Sequence, residues 1–284
     1  MHFWIIQAFN GVSYGALLFL VGSGLSLIFG VMRIVNLAHG SYFLLGGYVA
    51  ISVIAGTGSW ALSIPTAAVA VAIVGLLMER IFLRPLGFDP LRQVLLTVGF
   101  AFLFQQAALD IWGGNNMDIN PPAELGTSLV IGGIYFPAYR IFMIALALAI
   151  GIALWLAMEK TRMGAAVRAT VDDAQMARGV GIDTNRISMF IFALGAFLAA
   201  LGGVIGGAFL GIYPGLDFEM LPLAFAVVII GGMGSLGGAA IGALAVGLAD
   251  NFGKALFPEV SYFTLYAPMV LILAIKPTGL FGRE

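Results

Sequence analysis

The stretch F-N-G-V-S-Y-G-A-L-L-F-L-V-G-S-G-L-S-L-I-F-G-V-M, from Phe9 to Met32, carries no charged side chain. It exceeds the roughly 20 residues that a helix needs to cross a hydrocarbon core. Ile141 to Met158 and Ile187 to Pro214 are uncharged runs of the same kind. All are apolar on every face, whereas the strands of a membrane β-barrel would alternate in polarity over about ten residues. Barrels are thereby excluded. Of the 284 residues 61% are apolar and 10% are Asp, Glu, Lys or Arg, against about 25% charged in an ordinary soluble domain. A soluble fold of this size could not cover its surface with so few charges. The fold class is all-α, a polytopic helical membrane protein.

Working outward from that first run, polar interruptions divide the chain into roughly Ala8 to Phe29, Ala38 to Ala55, Leu62 to Met78, Val94 to Ile111, Ile141 to Met158 and Ile187 to Leu210. A glycine-broken region from Met220 to Phe252 and a last span near Phe263 to Ile275 follow, giving about eight or nine hydrophobic segments. The amino end, Met1 to Trp4, has no Lys or Arg before its apolar stretch and no small-residue cleavage site, so it is expected to persist as the first span. Cysteine is absent, which removes disulfides, thiolate metal sites and cysteine nucleophiles from consideration. The net charge of −1, with basic residues scattered among loops, makes no case for nucleic acid.

The placement of the basic residues orients the spans. Arg80, Arg84 and Arg92 lie in one loop and Lys160, Arg162, Arg168, Arg178 and Arg186 in another, together eight of the 13. Gly113 to Tyr139 contains Asp118 and Glu124 but no basic residue, and the Tyr213 to Glu219 turn contains only Asp217 and Glu219. By the positive-inside rule the basic loops are cytoplasmic, the acidic segments are outside, and the amino terminus is outside.

Gly231, Gly232, Gly234, Gly237 and Gly238 crowd a stretch that would otherwise read as one long span. Either a turn sits near the inner surface, or a helix is broken at membrane depth, where irregular backbone is tolerated only beside protein or a water-filled cavity. Gly202, Gly206, Gly207 and Gly211 repeat at the spacing of small-residue helix packing.

The loop near 159–186 is too short for a domain yet writes a helix. Thr170 and Asp173 form a capping-box-like pair, Asp172 and Asp173 fall in the first turn, Arg178 in the last, and Gly179 follows as a stop. Two turns are marginal alone. Val171, Ala174 and Ala177 share a face, which suits either docking into a groove on a soluble partner or lying on the membrane surface.

R-I-V-N-L-A-H-G-S-Y-F-L-L-G-G-Y, Arg33 to Tyr48, with G-L-S-L-I-F-G before it, resembles the opening signature of the Liv-type branched-chain amino acid ABC permeases. Gly164 to Asp183 resembles that family's cytoplasmic coupling loop, and G-G-M-G-S-L-G-G at Gly231 and K-P-T-G-L-F-G at Lys276 resemble its later landmarks. The chain is similar to the H-type subunit rather than the longer M-type partner. The resemblance implies a single permease domain over 1–284, a second related permease, two cytoplasmic ATPases and an extracytoplasmic solute-binding protein. It also implies that the 170–179 segment is the ATPase-coupling element. The chain has no G-x-x-x-x-G-K-[ST] loop, so ATP and Mg2+ would be bound by partner subunits and the chain itself would need no cofactor.

Ionisable and amide side chains at membrane depth are functional candidates by default. Arg33, Asn36 and His39 interrupt an apolar run; the alternative is that they sit at the cytoplasmic ends of two spans, with Arg33 snorkelling and His39 capping a helix. With Gln105, Gly231, Gly234 and Gly237 they are the candidate translocation path, while Gln106, Asp110, Asp250 and Asn251 lie toward span ends. No nucleophile, base and carboxylate combine into a catalytic set, and His2 and His39 alone make no metal site. The reading is an importer subunit for small polar solutes, most simply branched-chain or related amino acids. The competing reading is an autonomous channel or ion-coupled transporter, which expects intramembrane carboxylates.

Overall fold

The computed structural model describes residues 2–87, 89–276 and 279–281 of the chain, so Pro277, Thr278 and Gly282 of the carboxyl-terminal motif lie outside the described residues. The helices are α1 (His2–Met32), α2 (His39–Thr57), α3 (Trp60–Met78), α4 (Pro90–Trp112), α5 (Ala138–Lys160), α6 (Arg162–Asp172), α7 (Ala174–Gly179), α8 (Thr184–Leu210), α9 (Leu216–Gly231), α10 (Leu236–Leu256) and α11 (Ser261–Ile275). Seven are long and apolar enough to cross a membrane: α1 to α5, α8 and α10, with the third span running on to Leu86. The shorter apolar helices α9 and α11 bring the segments among the described residues to nine, in keeping with the hydropathy reading.

Short polar residues start these helices where the chain leaves the apolar layer. Ser59 accepts from the Leu62 amide at 3.2 Å, Asp89 from Arg92 at 3.2 Å ahead of Pro90, Asp183 from Arg186 at 3.1 Å, and Ser235 from Gly238 at 3.0 Å. Each supplies an acceptor to an amide that has no partner inside its own helix.

The bundle is assembled on glycine. α1 is its axis, lying against α8 and α10 along seams where a β-carbon at Gly15 would sit 2.8 Å from the Ala243 carbonyl oxygen and one at Gly24 would sit 2.6 Å from that of Gly195. The Gly202 series is part of the same device: a β-carbon at Gly202 would meet Val21 at 2.8 Å and one at Gly206 would meet Phe43 at 2.8 Å. With no hydrophobic drive between helices in lipid, such close backbone approach is what dispersion packing requires. Gly211 differs: its φ of +74° ends α8.

The 220–252 region resolves into α9 and α10 joined by the turn Gly232–Ser235. The turn lies at the carboxyl end of α1, where a β-carbon at Gly234 (φ +81°) would sit 2.9 Å from the Gly30 Cα. The region is therefore two helices joined by a glycine turn rather than one long span. After α1 the chain turns at Arg33 (φ +54°) and climbs back through Ile34, Asn36 and Ala38, all buried, before α2 begins. The Nε2 of His39 lies 2.9 Å from the Val21 carbonyl oxygen. Val21 to Met32 spans about 16 Å at about 1.5 Å per residue, so α2 starts well inside the bundle.

On the opposite face, residues 113–137 carry an antiparallel hairpin, β1 (Ser128–Ile131) and β2 (Ile134–Pro137). Gly132 and Gly133 turn it with φ of +59° and +80°. The Gly-Gly dipeptide between two apolar pairs is the local sequence signal for this hairpin, which hydropathy alone passes over. Met117 of this segment pairs with Ile212 beyond α8.

Candidate functional site

The segment between α5 and α8 folds as two helices meeting at Asp173, and this corrects the expected single helix. Thr170 does not cap. It lies inside α6, buried, with its hydroxyl donating to the Ala166 carbonyl at 2.8 Å. The caps are Thr161, which accepts from the Gly164 amide at 3.0 Å, and Asp173, whose Oδ1 accepts from Gln175 and Met176 at 2.8 and 2.9 Å. Gly179 is the last helical residue of α7 rather than its stop. The left-handed residue is Gly181, φ +91°, with its amide on the Arg178 carbonyl at 3.0 Å and the Ile182 amide on the Ala177 carbonyl at 2.9 Å. That pair of bonds is a Schellman closure, which satisfies the carbonyls a lone short helix leaves open.

Both helices are fastened to the bundle. The Arg168 guanidinium donates to the Met158 carbonyl at the end of α5 and lies 3.8 Å from Glu159. The Nε of Arg178 donates to Thr184 Oγ1 at the start of α8 at 2.7 Å. Val167 is buried among Leu154, Met158, Ile187 and Ile191, with Val171 half-buried beside it. Ala177 is 3% exposed and Ala174 half-buried, so the stripe Val171, Ala174, Ala177 faces the protein's own body, not outward. The outward apolar groups are Met176 and Val180, 66% and 72% exposed, set among the exposed Asp172, Asp173, Gln175, Arg178 and Gly179. Sequence spacing identified the stripe; which side it faced depended on where the bundle lay.

Above α6 opens a cavity of about 670 Å³, bordered by Arg168, Val171 and Asp172, by Arg33 and Gly30 at the end of α1, and by the Gly234–Gly237 turn. Of the candidate path residues, Arg33, Gly234 and Gly237 come together here, with a β-carbon at Gly237 meeting open space. Gly231 does not, being buried against Gly238 at the α9–α10 seam.

Asn36 and His39 form a second centre inside the bundle, both 0% exposed. Of the two readings of His39, the capping role does not hold: it is the first residue of α2, makes no cap bond, and is held by the Val21 carbonyl. Asn36 Oδ1 accepts from the Ala38 amide at 3.1 Å, and Thr97 Oγ1 of α4 accepts from Leu37 at 3.2 Å. Ser41 Oγ donates to Asp217 Oδ2 at 2.9 Å, tying the first turn of α2 to that of α9. Asp217 is therefore buried in the first turn of α9 rather than exposed in a turn. Two helix amino ends, each carrying partial positive charge, flank this carboxylate. Gln105 is half-buried near Gly215. Gln106 donates to Asp110 at 2.9 Å on the exposed side of α4, and Lys254 pairs with Asp250 at 2.8 Å. Asn251 is half-buried beside them. Among the described residues no group of three His, Asp or Glu side chains is placed to hold a metal.

A family model described as branched-chain amino acid transport system / permease component matches residues 7–273. The high-affinity branched-chain amino acid transport system permease protein LivH of Escherichia coli K12 is 29% identical over 99% of this chain and 96% of its own length. BraD of Pseudomonas aeruginosa, described in the same words, is 29% identical over 100% of this chain and 97% of its own. LivM of Escherichia coli K12, also a permease protein of that description, is 27% identical over 92% of this chain and 67% of its own. No solved structure matches the chain.

Proposed function

The chain belongs to the family of permease components of branched-chain amino acid transport systems, and from that premise we propose that it is the membrane subunit of an importer driven by ATP hydrolysis on separate cytoplasmic subunits. It is a multi-pass protein of the bacterial inner membrane, and its solute is a branched-chain or related amino acid. A second permease of the LivM kind pairs with it, and an extracytoplasmic binding protein delivers the solute.

The observation that carries the ATPase assignment is the α6–α7 pair, a short element closed at both ends and bonded to two different spans. An ATPase groove closing on Met176 and Val180 would push on α5 through Arg168 and on α8 through Arg178 and Thr184. The cavity beside α6 puts that motion next to the ends of α1, α9 and α10. Three carboxylates among the described residues are buried: Asp217, engaged by Ser41 through one oxygen, Asp250, paired with Lys254, and Glu79 near the end of the third span, and an ion-coupled carrier would have to use one of these.

Leucine uptake in proteoliposomes containing the chain, a LivM-type permease, the ATPases and the binding protein tests the proposal. Uptake should require ATP and every subunit, and the chain purified alone should hydrolyse none. Uptake by the chain alone, driven by an ion gradient, would overturn it.

A further inference from the structure

α5 is the most peripheral span: only 17% of its apolar window is buried, against 72% for α8. The two helices are joined in their outer half, where the Tyr139 hydroxyl donates to the Ile205 carbonyl at 2.6 Å and the Phe19 ring of α1 fills the space over Gly151. Toward the cytoplasmic end their outer faces leave a gap. The gap is a groove of about 340 Å³ walled by Ala153 and Ala157 of α5 and by Phe190, Leu194 and Phe197 of α8. It ends at Thr161 and Met163.

Its length identifies its occupant. From Ile150 to Thr161 it runs about 16 Å at about 1.5 Å per residue, half of a hydrocarbon core of about 30 Å. A helix of a partner subunit would need a groove along the whole span, whereas one acyl chain of one leaflet needs this half. The flanking charges identify the headgroup. Lys160 and Arg162, on either side of Thr161, are exposed and take part in no ion pair among the described residues. The nearby acids are engaged, Glu159 by Arg168 and Asp183 by Arg186 at 2.9 Å. Two uncommitted cations at the mouth of an apolar slot on the cytoplasmic side suit an anionic phosphate.

We propose that this groove binds one anionic phospholipid of the inner leaflet, with an acyl chain between α5 and α8 and its phosphate at Lys160 and Arg162. The lipid would brace the gap directly above the α5–α6 joint.

The test is native mass spectrometry of the chain extracted from its own membrane, in complex with the subunits that accompany it, using phosphatidylglycerol as the probe lipid and phosphatidylcholine as the neutral control. Lys160→Ala with Arg162→Ala removes the phosphate contact from exposed positions without touching the packing. Ala157→Phe fills the slot and leaves the charges. Each should lower retained phosphatidylglycerol at least fivefold, with phosphatidylcholine failing to compete in the parent protein. Retention unchanged in the double variant, or displacement by phosphatidylcholine at equal concentration, would overturn the proposal. So would efficient cross-linking of Ala157→Cys to a partner permease, which would show protein in the groove.

Discussion

The hydroxyl of Ser41 donates to Asp217 across 176 positions of sequence, at 2.9 Å, and thereby fixes the first turn of α2 against the first turn of α9. Both helices begin inside the bundle, and both groups are shut away from solvent at 1% and 2% exposure. Removing the donor leaves a buried carboxylate oxygen short of a partner, at a cost of about 1–3 kcal/mol or more. Ser41→Ala and Asp217→Ala should each lower the thermal midpoint of the detergent-purified protein. Together they should lower it by less than the sum, since they break the same contact. Strictly additive effects would separate the two residues energetically.

At the cytoplasmic pair, two neighbouring substitutions should fail in different ways. Met176 is exposed, so Met176→Glu should leave the fold intact while ATPase co-purification and uptake fall at least tenfold. Ala177 is 3% exposed against the chain's own body, so Ala177→Glu buries an unpaired charge at a cost of about 3–5 kcal/mol and should open α7 to protease even without partners. Normal ATPase retention by Met176→Glu would remove this face as the docking surface.

Gly181 holds its turn at φ +91°, a backbone conformation that a β-branched residue adopts only with strain. Gly181→Val should destabilise the α7 closure by about 1–2 kcal/mol. Gly179→Ala, within the helix and with open space around it, should not. Hydrogen exchange of the Ile182 amide distinguishes them, rising only in the first.

A β-carbon at Gly203 would fall on the Phe43 carbonyl oxygen, whereas at Gly237 it would meet nothing within 4 Å. Gly203→Val should therefore abolish the fluorescence-detected folded species, because backbone cannot yield as a side chain can. Gly237→Ala should assemble normally, with at most about 1 kcal/mol gained from helix propensity. Comparable loss in both would mean that neither packing account is right.

The chain has no cysteine, so single introduced thiols report orientation directly. Ala123→Cys should react with an impermeant maleimide on intact cells, and Ala165→Cys only after the inner face is opened, following the distribution of Lys and Arg. The opposite labelling pattern would invert every assignment of inside and outside made above.

What the sequence determined by itself was everything that depends on the solvent. Uncharged runs such as Phe9 to Met32 can only be spans, and the basic loops around Arg84 and Arg168 orient them. The small-residue spacing around Gly202 announced tight packing, because close approach needs a residue without a side chain wherever it occurs. Local chemistry was legible only in part. Asp173 was recognised as a helix-start residue, but whether it or Thr170 did the capping turned on a one-residue break that propensity does not resolve. Tertiary structure alone decided three things: that the stripe ending at Ala177 faces inward, that His39 meets Val21 deep in the bundle, and that Asp217 lies inside beside Ser41. Each is a relation between segments distant in sequence. The residue at one end carries no trace of its partner, since an acid beside glycine and proline reads the same in an outer loop as at the start of a helix buried among others.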